Sequence, residues 1–269
     1  MIRLPAVAGR FYPSDPAQLN QELDSLLTSG IHKTKIRAQA CLVPHAGYTY
    51  SGRVAGEVYR RIEIPPRVVL IGPRHFPRGA PLAIVSDGAW QTPLGMAPID
   101  HLLAEKIVRA FPQLREDAVA HSSEHSLEVQ LPFLQRLAPS FAFVPIVIGP
   151  AHWELLEALG HALAGVIAAE REAVLLIASS DMNHYESDAV TRVKDRKAID
   201  QILALDPRKL FDTVRDEKIS MCGYAAAVAV LIAVRELGAA QAELVRYANS
   251  GEVNGDLREV VGYAGIVIT

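Results

Sequence analysis

The chain has 269 residues, half of them hydrophobic and 21% charged. That composition excludes a disordered chain and supplies the apolar side chains for a substantial core. Its 27 basic and 30 acidic residues leave a formal net charge of -3, and no basic stripe stands out, which argues against a nucleic-acid partner.

The opening residues, MIRLPAVAGRFYPSDP, lack the apolar core of a signal peptide. Residues 15–29 place Leu19, Leu23, Leu26 and Leu27 at helical spacing, with Asp15 as N-cap, Pro16 at the first helical position and Gly30 as the stop. A buried strand is predicted over 40–44 and a helix over 52–62. Strands follow over 68–71 and 82–85, then a helix over 100–111 beginning at Asp100. Residues 124–138 read as helical, with a turn or kink near Pro132. A strand over 141–148, a helix over 154–169 and a strand over 173–178 come next. Helices near 191–204 and 207–215 precede a long apolar helix over 223–237. Strands over 242–249 and 260–268 close the chain. The run AAAVAVLIAV is too short to span a bilayer and reads as a buried helix. No repeat or linker divides the chain, so residues 1–269 are expected to form one domain. Strands alternating with helices predict an α/β fold, a largely parallel central sheet with helices on both faces.

Three apolar runs each end in a histidine: ACLVPHAGY gives His45, VVLIGPRHF gives His75 and AVLLIASSDMNHY gives His184. In an open α/β sheet the loops at the carboxyl ends of the strands gather on one edge, where ligands bind. The three positions are therefore expected in one pocket. Each has a plainer reading: His45 as a turn residue capping a helix, His75 as an exposed loop residue beside Arg74, and Ser179 to Asp181 as caps of the next helix. In the functional reading, Asp181 is a metal ligand, or accepts a hydrogen bond from a ligand imidazole and so fixes its tautomer. His184 is a ligand or a proton donor to substrate.

Cys222 stands at a predicted helix start, where the helix dipole favours the thiolate that binds metal or attacks an electrophile. Cys41 reads as a small buried hydrophobe. No disulfide is expected between them, and two cysteines fit a reducing cytoplasm. On the predicted helix after residue 124, Glu124 and Glu128 share one face, as do His121 and His125. This H-x-x-x-H pair is not the H-E-x-x-H pattern of zinc proteases. A surface face with dipole compensation by Glu124 is the plain alternative. Glu124 and His125 are assigned instead to face substrate or to support ligands. His32, His101, His152 and His161 have no constellation around them and read as surface or structural. The segment NSGEVNGD is a turn without phosphate-loop order.

Together, RLPAVAGRFYP, PHAGYTYSG, GPRH, EHSLEVQLPF, SSDMNHY, MCGY and NSGEVNGD…VVGYAGI resemble the Memo-like family, known in prokaryotes as AmmeMemoRadiSam system protein B. The resemblance covers nearly the whole chain through seven motifs in order. It implies a fold similar to the class III extradiol dioxygenases, whose non-haem iron is held by two histidines and a carboxylate. It also implies metal ligands at His45, His75 and Cys222, with Asp181, His184 and His125 lining the pocket as the catalytic set. Iron or copper, redox chemistry and a link to AMME-domain and radical SAM proteins are further implications, as are cell-motility signalling and phosphopeptide binding for the animal member. Two departures stand out. Arg74 and Phe76 replace the more usual small or polar neighbours of His75, and Arg74 would set a cation near the site. Tyr224 stands where the animal member has a basic residue, which weakens a transfer of peptide binding.

The first expectation is thus a redox-active metal protein of the Memo-like family, whose two imidazoles and thiolate accept iron, copper or zinc. An extradiol-type dioxygenase with His184 or His125 as acid–base group is the second, although a thiolate ligand argues against it. A non-catalytic module binding a peptide or small anion near Arg74 is the third. A zinc hydrolase with Glu124 or Asp181 as base is the fourth.

Overall fold

In the computed structural model, which describes residues 1–28 and 34–269, the apolar runs become the strands of a nine-stranded sheet. The strands of the chain are β1 (Ile2–Arg3), β2 (Ala40–Val43), β3 (Arg67–Pro73), β4 (Leu82–Ile84), β5 (Ala89–Thr92), β6 (Gly95–Pro98), β7 (Arg115–Glu116), β8 (Ala142–Ile148), β9 (Val174–Ser179), β10 (His184–Glu186), β11 (Ala242–Asn249) and β12 (Val260–Ile268). The helices are α1 (Pro16–Thr28), α2 (Arg53–Arg61), α3 (His101–Ala110), α4 (Ala118–His121), α5 (Leu131–Leu137), α6 (Trp153–Ala168), α7 (Asp188–Leu203), α8 (Pro207–Asp216), α9 (Tyr224–Glu236) and α10 (Gly251–Asn254).

The large sheet runs β10-β12-β2-β9-β3-β8-β4-β7, with β11 on the other side of β12. Its centre, β2-β9-β3-β8, is parallel. The junctions of β12 with β2, β10 and β11, and of β4 with β8, are antiparallel. A second, three-stranded sheet pairs β1 with the β5–β6 hairpin. The architecture is α/β as expected, but the large sheet is mixed, with as many antiparallel junctions as parallel ones, where a largely parallel sheet was expected.

The central strands are buried on both faces, which is why they read as unbroken apolar runs rather than alternating ones. Their side chains still alternate between two cores. Val69 and Ile71 pack with α3, α6, α7, α8 and α9, while Val68 and Leu70 pack with α1, α2 and α5. The long apolar helix α9 lies wholly within the first core, as its composition requires. Asp15 caps α1 as expected, its Oδ1 accepting the Gln18 N–H at 2.9 Å, and Asp100 caps α3. Gly30 and His32 lie outside the described residues. No helix among the described residues is long and apolar enough to cross a membrane.

One predicted element is absent. Residues 124–127 are not helical, and the segment 124–138 resolves into a turn, a single 3-10 turn at 128–130 and the short helix α5. Part of the cause is remote. Arg3 donates to the carbonyls of His121 at 2.7 Å and of Glu124 at 2.6 Å; the His121 carbonyl also accepts the Glu124 N–H at 3.2 Å, which closes a turn, while the His125 N–H goes to Glu124 Oε1 and not back to His121. Arg3 is held in place by Glu128, which is buried and not on a surface face. Glu128 also accepts from the backbone of Ala6 and Val7 and from the Tyr12 hydroxyl. His121 and His125 accordingly share no helical face. His121 is buried against Trp90, and His125 turns toward the carboxyl edge of the sheet.

Candidate metal centre

The ends of β2, β3 and β9, together with the turn at 121–127 and the residues before α9, enclose a cavity of about 720 Å3. It gathers His45, His75, His125, Asp181, His184 and Cys222, residues up to 177 positions apart. His101, His152 and His161 lie elsewhere, on helix ends and surface pairs.

His45 follows β2 and is 1% exposed. Its backbone N–H, and that of Ala46, donate to Asp181 Oδ1 at 2.7 and 3.3 Å. Asp181 therefore fixes the His45 backbone; it does not accept from the ring, the pairing that the sequence suggested. The ring is fixed by Ser179, whose Oγ lies 2.9 Å from His45 Nδ1. That hydroxyl spends its proton on the Ser126 carbonyl at 2.6 Å and accepts from Gln130 Nε2 at 3.0 Å. The remaining hydrogen bond requires the proton on His45 Nδ1, leaving the Nε2 lone pair facing Cys222.

His75 repeats the logic with a carboxylate. Its backbone N–H and Nδ1 meet Glu124 Oε2 and Oε1 at 2.6 and 2.9 Å. Glu124 Oε1 also accepts the N–H groups of His125 and Ser126, each at 2.9 Å. Burial works to raise this carboxyl, but the His75 hydrogen bond, the neighbouring imidazoles and the Ser126 N–H outweigh it and hold it down to about 2. His125 stacks on His75 with ring centroids 4.5 Å apart and meets His45 edge-on at 5.6 Å. Burial, reinforced by His45, lowers its pKa to about 4. Burial and then His75 push His45 well below its ordinary value. Both rings are neutral near pH 7, the form that binds metal.

Cys222 Sγ lies 3.2 Å from His45 Nε2 and accepts the Asp181 N–H at 3.3 Å. The thiolate expected from the helix dipole is not favoured. Burial and then the Asp181 carboxylate push the thiol pKa well up, and a terminal dipole worth under ~1 kcal/mol does not overcome that. Gly223 follows because a Cβ there would strike the Ser179 carbonyl and the Ser180 side chain. Ser180 Oγ accepts the Gly223 N–H at 2.9 Å. The Ser179–Asp181 segment thus supports the start of α9, not the helix that follows it in sequence. Both cysteines are free thiols.

His184 opens β10, where its Nδ1 lies 2.9 Å from the Ser220 carbonyl and its backbone N–H donates to Ser220 Oγ. A register shift follows against β12, and Tyr185 adopts φ 59, a strained setting for a non-glycine residue. The shift turns His184 to the cavity and leaves Tyr185 exposed at its rim.

Arg74 does not put its charge in the pocket. Its guanidinium donates to the carbonyls of Arg78 and Gly79, and the cation lining the cavity is Arg10. Sequence reasoning passed over Arg10, Ser179 as the partner of a ring, and Gln130. The one available signal was a serine closing an otherwise apolar run, directly before Ser180 and Asp181.

The donor set suits a transition metal. One ligand atom each from His45, His75 and His125 lie within 4.8 Å of one another. Two donors on one ion, at about 2.3 Å for sulfur and about 2.0 Å for nitrogen, stand about 3.1–3.5 Å apart, and the Cys222–His45 separation of 3.2 Å matches.

Residues 3–267 match the family described as Memo-like protein. A MEMO1 family protein of Aquifex aeolicus is 44% identical over 267 residues, covering 99% of this chain and 98% of that one. A MEMO1 family protein of Methanopyrus kandleri is 39% identical, with 99% of each chain covered. Among solved structures, an uncharacterised protein of Escherichia coli K12 superposes with a TM-score of 0.54 at 15% identity, over 84% of this chain and 99% of that one. That last likeness is one of fold alone.

Proposed function

The chain belongs to the Memo-like protein family, and from that premise we propose that it is a metal-binding protein of redox type that holds iron or copper among His45, His75 and Cys222. The observation that carries this reading is the pairing of each imidazole. Nδ1 of His45, His75 and His184 faces Ser179, Glu124 and the Ser220 carbonyl respectively, so each Nε2 is left for the cavity. Hydrogen bonds behind ligand imidazoles fix ring orientation and tautomer, and so ready a site for metal. Among the described residues the ligand atoms within reach of one ion come from His45, His75 and His125, and Cys222 adjoins that cluster through His45. Iron or copper held there would supply one-electron chemistry at an open position, and zinc would supply a Lewis acid alone.

Around that position the chain's own groups have distinct tasks. His184 is oriented to give or take a proton at Nε2 at the rim of the cavity. Asp181 keeps His45 and Cys222 in register through its carboxylate and its N–H. Phe11, Tyr50 and Tyr263 line the cavity with aromatic surface.

Elemental analysis of protein purified without air, with iron and copper supplied, tests the reading. About one metal per chain is expected, with loss in Cys222→Ser and in His75→Ala. No stoichiometric metal in the folded wild-type protein sinks it.

One observation favours a second reading, the extradiol-type dioxygenase. His45, His75 and His125 make an all-nitrogen set, with His184 as the acid–base group. Iron retained in Cys222→Ser but lost in His125→Ala, with oxygen uptake on a catechol panel, would select it.

A further inference from the structure

We propose that Tyr263 is a ligand-binding residue of the histidine cavity, its phenol hydroxyl donating a hydrogen bond to an anionic or carbonyl oxygen of the molecule bound there. This rests on the reading above, since it takes the same cavity as the site, but not on which metal the cavity holds.

β12 brings Val261 and Tyr263 to the cavity, two residues apart on one face of the strand. Between them, Gly262 is tied to the loop that carries Asp181 and His184. Its N–H donates to the Asn183 carbonyl at 2.9 Å, and its carbonyl accepts the Met182 N–H at 2.8 Å. On the neighbouring strand β11 the partner of Tyr263 is Ala248. The tyrosine clusters with Ala248 and with Val54 of α2, and Ala46 packs against that cluster. Ala46 is the residue after His45, and both of their N–H groups go to Asp181. Tyr263 is 2% exposed. With its ring held on these sides, the hydroxyl is in place before a ligand arrives.

That hydroxyl has no partner in the fold. Buried tyrosines ordinarily place the O–H on an acceptor. Tyr12 donates to Glu128, Tyr48 to the Val129 carbonyl and Tyr59 to Gln130. Among the described residues Tyr263 is the one buried tyrosine whose hydroxyl makes no hydrogen bond, and its oxygen is not sealed in but opens on the cavity. Asp181 is the nearby acceptor, yet its Oδ1 is taken by His45 and Ala46, and no hydrogen bond joins the carboxylate to Tyr263. Burial and then that carboxylate, with Tyr50 and Tyr185 adding to them, push the phenol pKa well above its ordinary value. The group left unspent is therefore a proton donor. Arg10 on the cavity wall, with no ion-pair partner among the described residues, adds a second donor. A ligand oxygen that carries negative charge makes the stronger hydrogen bond with either.

The test titrates para-nitrophenolate onto the full chain with its metal, in mildly alkaline buffer. A hydrogen bond to the phenolate oxygen localises its charge and moves its visible band to the blue. Nitrobenzene, the same ring without that oxygen, is measured by displacement. The wild-type chain is expected to bind para-nitrophenolate saturably with a blue-shifted band. In Tyr263→Phe its affinity should fall about tenfold and the band should return toward the free position, while nitrobenzene binds both proteins alike. The melting temperature should not fall, because the deleted hydroxyl has no partner in the fold. Metal content of the same samples decides the metal reading separately: a metal-free wild-type chain that still shows the band shift, lost in Tyr263→Phe, sinks that reading and supports this one. Three results overturn the role of Tyr263: no saturable binding to the folded wild-type chain, equal affinity and band position in both proteins, or a variant that weakens nitrobenzene as much as para-nitrophenolate, which would make the tyrosine structural.

Discussion

Nδ1 of His45 lies 2.9 Å from the Ser179 hydroxyl, on the far side of the ring from the sulfur of Cys222. The serine thereby decides which nitrogen faces the cavity. Ser179→Ala should weaken the binding of added ferrous or cuprous ion about 10–100-fold. It should also cost about 1–3 kcal/mol, because Gln130 Nε2 and the Ser126 carbonyl lose a buried partner. Calorimetric metal titration and denaturant unfolding give the two readings. Unchanged metal affinity would mean that Ser179 is structural only.

Glu124 answers four donors, the N–H groups of His75, His125 and Ser126 and the ring of His75. Glu124→Gln keeps the shape but turns an NH2 group toward one or more of those donors. Loss of stability by about 1–3 kcal/mol is expected, as for buried donors left without their acceptor, together with weaker metal binding. Urea unfolding checks the first part. A loss below about 1 kcal/mol would show that the turn is held by Arg3 and not by Glu124.

The parts legible in sequence are those fixed by local chemistry. His45 and His75 follow apolar runs that stop at Pro or Gly, and His184 follows a run that stops at a polar loop; parallel strands aligned in one sheet must bring such endings together. Asp15 and Asp100 announce helix starts because a cap acts within three residues. The turn at 124–127 was not legible. Its sequence has helical spacing, but Arg3, more than a hundred residues away, donates to the carbonyls of His121 and Glu124. The two-residue strands β1 and β7 have too little pattern to read. Cys222 shows the limit for charge: its place before α9 was visible, whereas the burial that raises its pKa depends on what packs over it.

Glu128 ties the first twelve residues to the turn that carries His125. Its oxygens accept from Arg3, Ala6, Val7 and Tyr12. Glu128→Ala strands a buried guanidinium and should cost about 3–5 kcal/mol. Hydrogen exchange should rise first at Ala6 and Val7, then at His125 and Ser126. If exchange rises at Ala6 and Val7 alone, the N-terminal segment and the histidine turn are independent.

Asp195 on α7 is fully buried. Its Oδ1 accepts the Asn183 N–H at 2.8 Å and its Oδ2 the Tyr247 hydroxyl at 2.7 Å, and Gly262 lies so close that a Cβ there would strike it. Burial raises its pKa to about 7, against the Tyr247 and Asn183 hydrogen bonds and Arg192, with Glu186 adding to the rise. The folded chain therefore keeps a proton that the unfolded chain releases near pH ~4. Stability is fully present below that pH, falls as pH climbs toward about 7, and levels off above, a loss on the order of 4 kcal/mol. Asp195→Asn keeps the shape and cannot titrate. The melting temperature of the variant relative to wild type should climb between pH 5 and pH 8. The effect also reaches the cavity. Asn183 Oδ1 accepts from the Ser220 N–H and Oγ, and the Ser220 carbonyl faces His184 Nδ1. His184 ring resonances in the wild-type chain should shift through the same pH window and be quieter in the variant. A melting-temperature difference that does not change with pH would mean that Asp195 is ionised in the fold throughout.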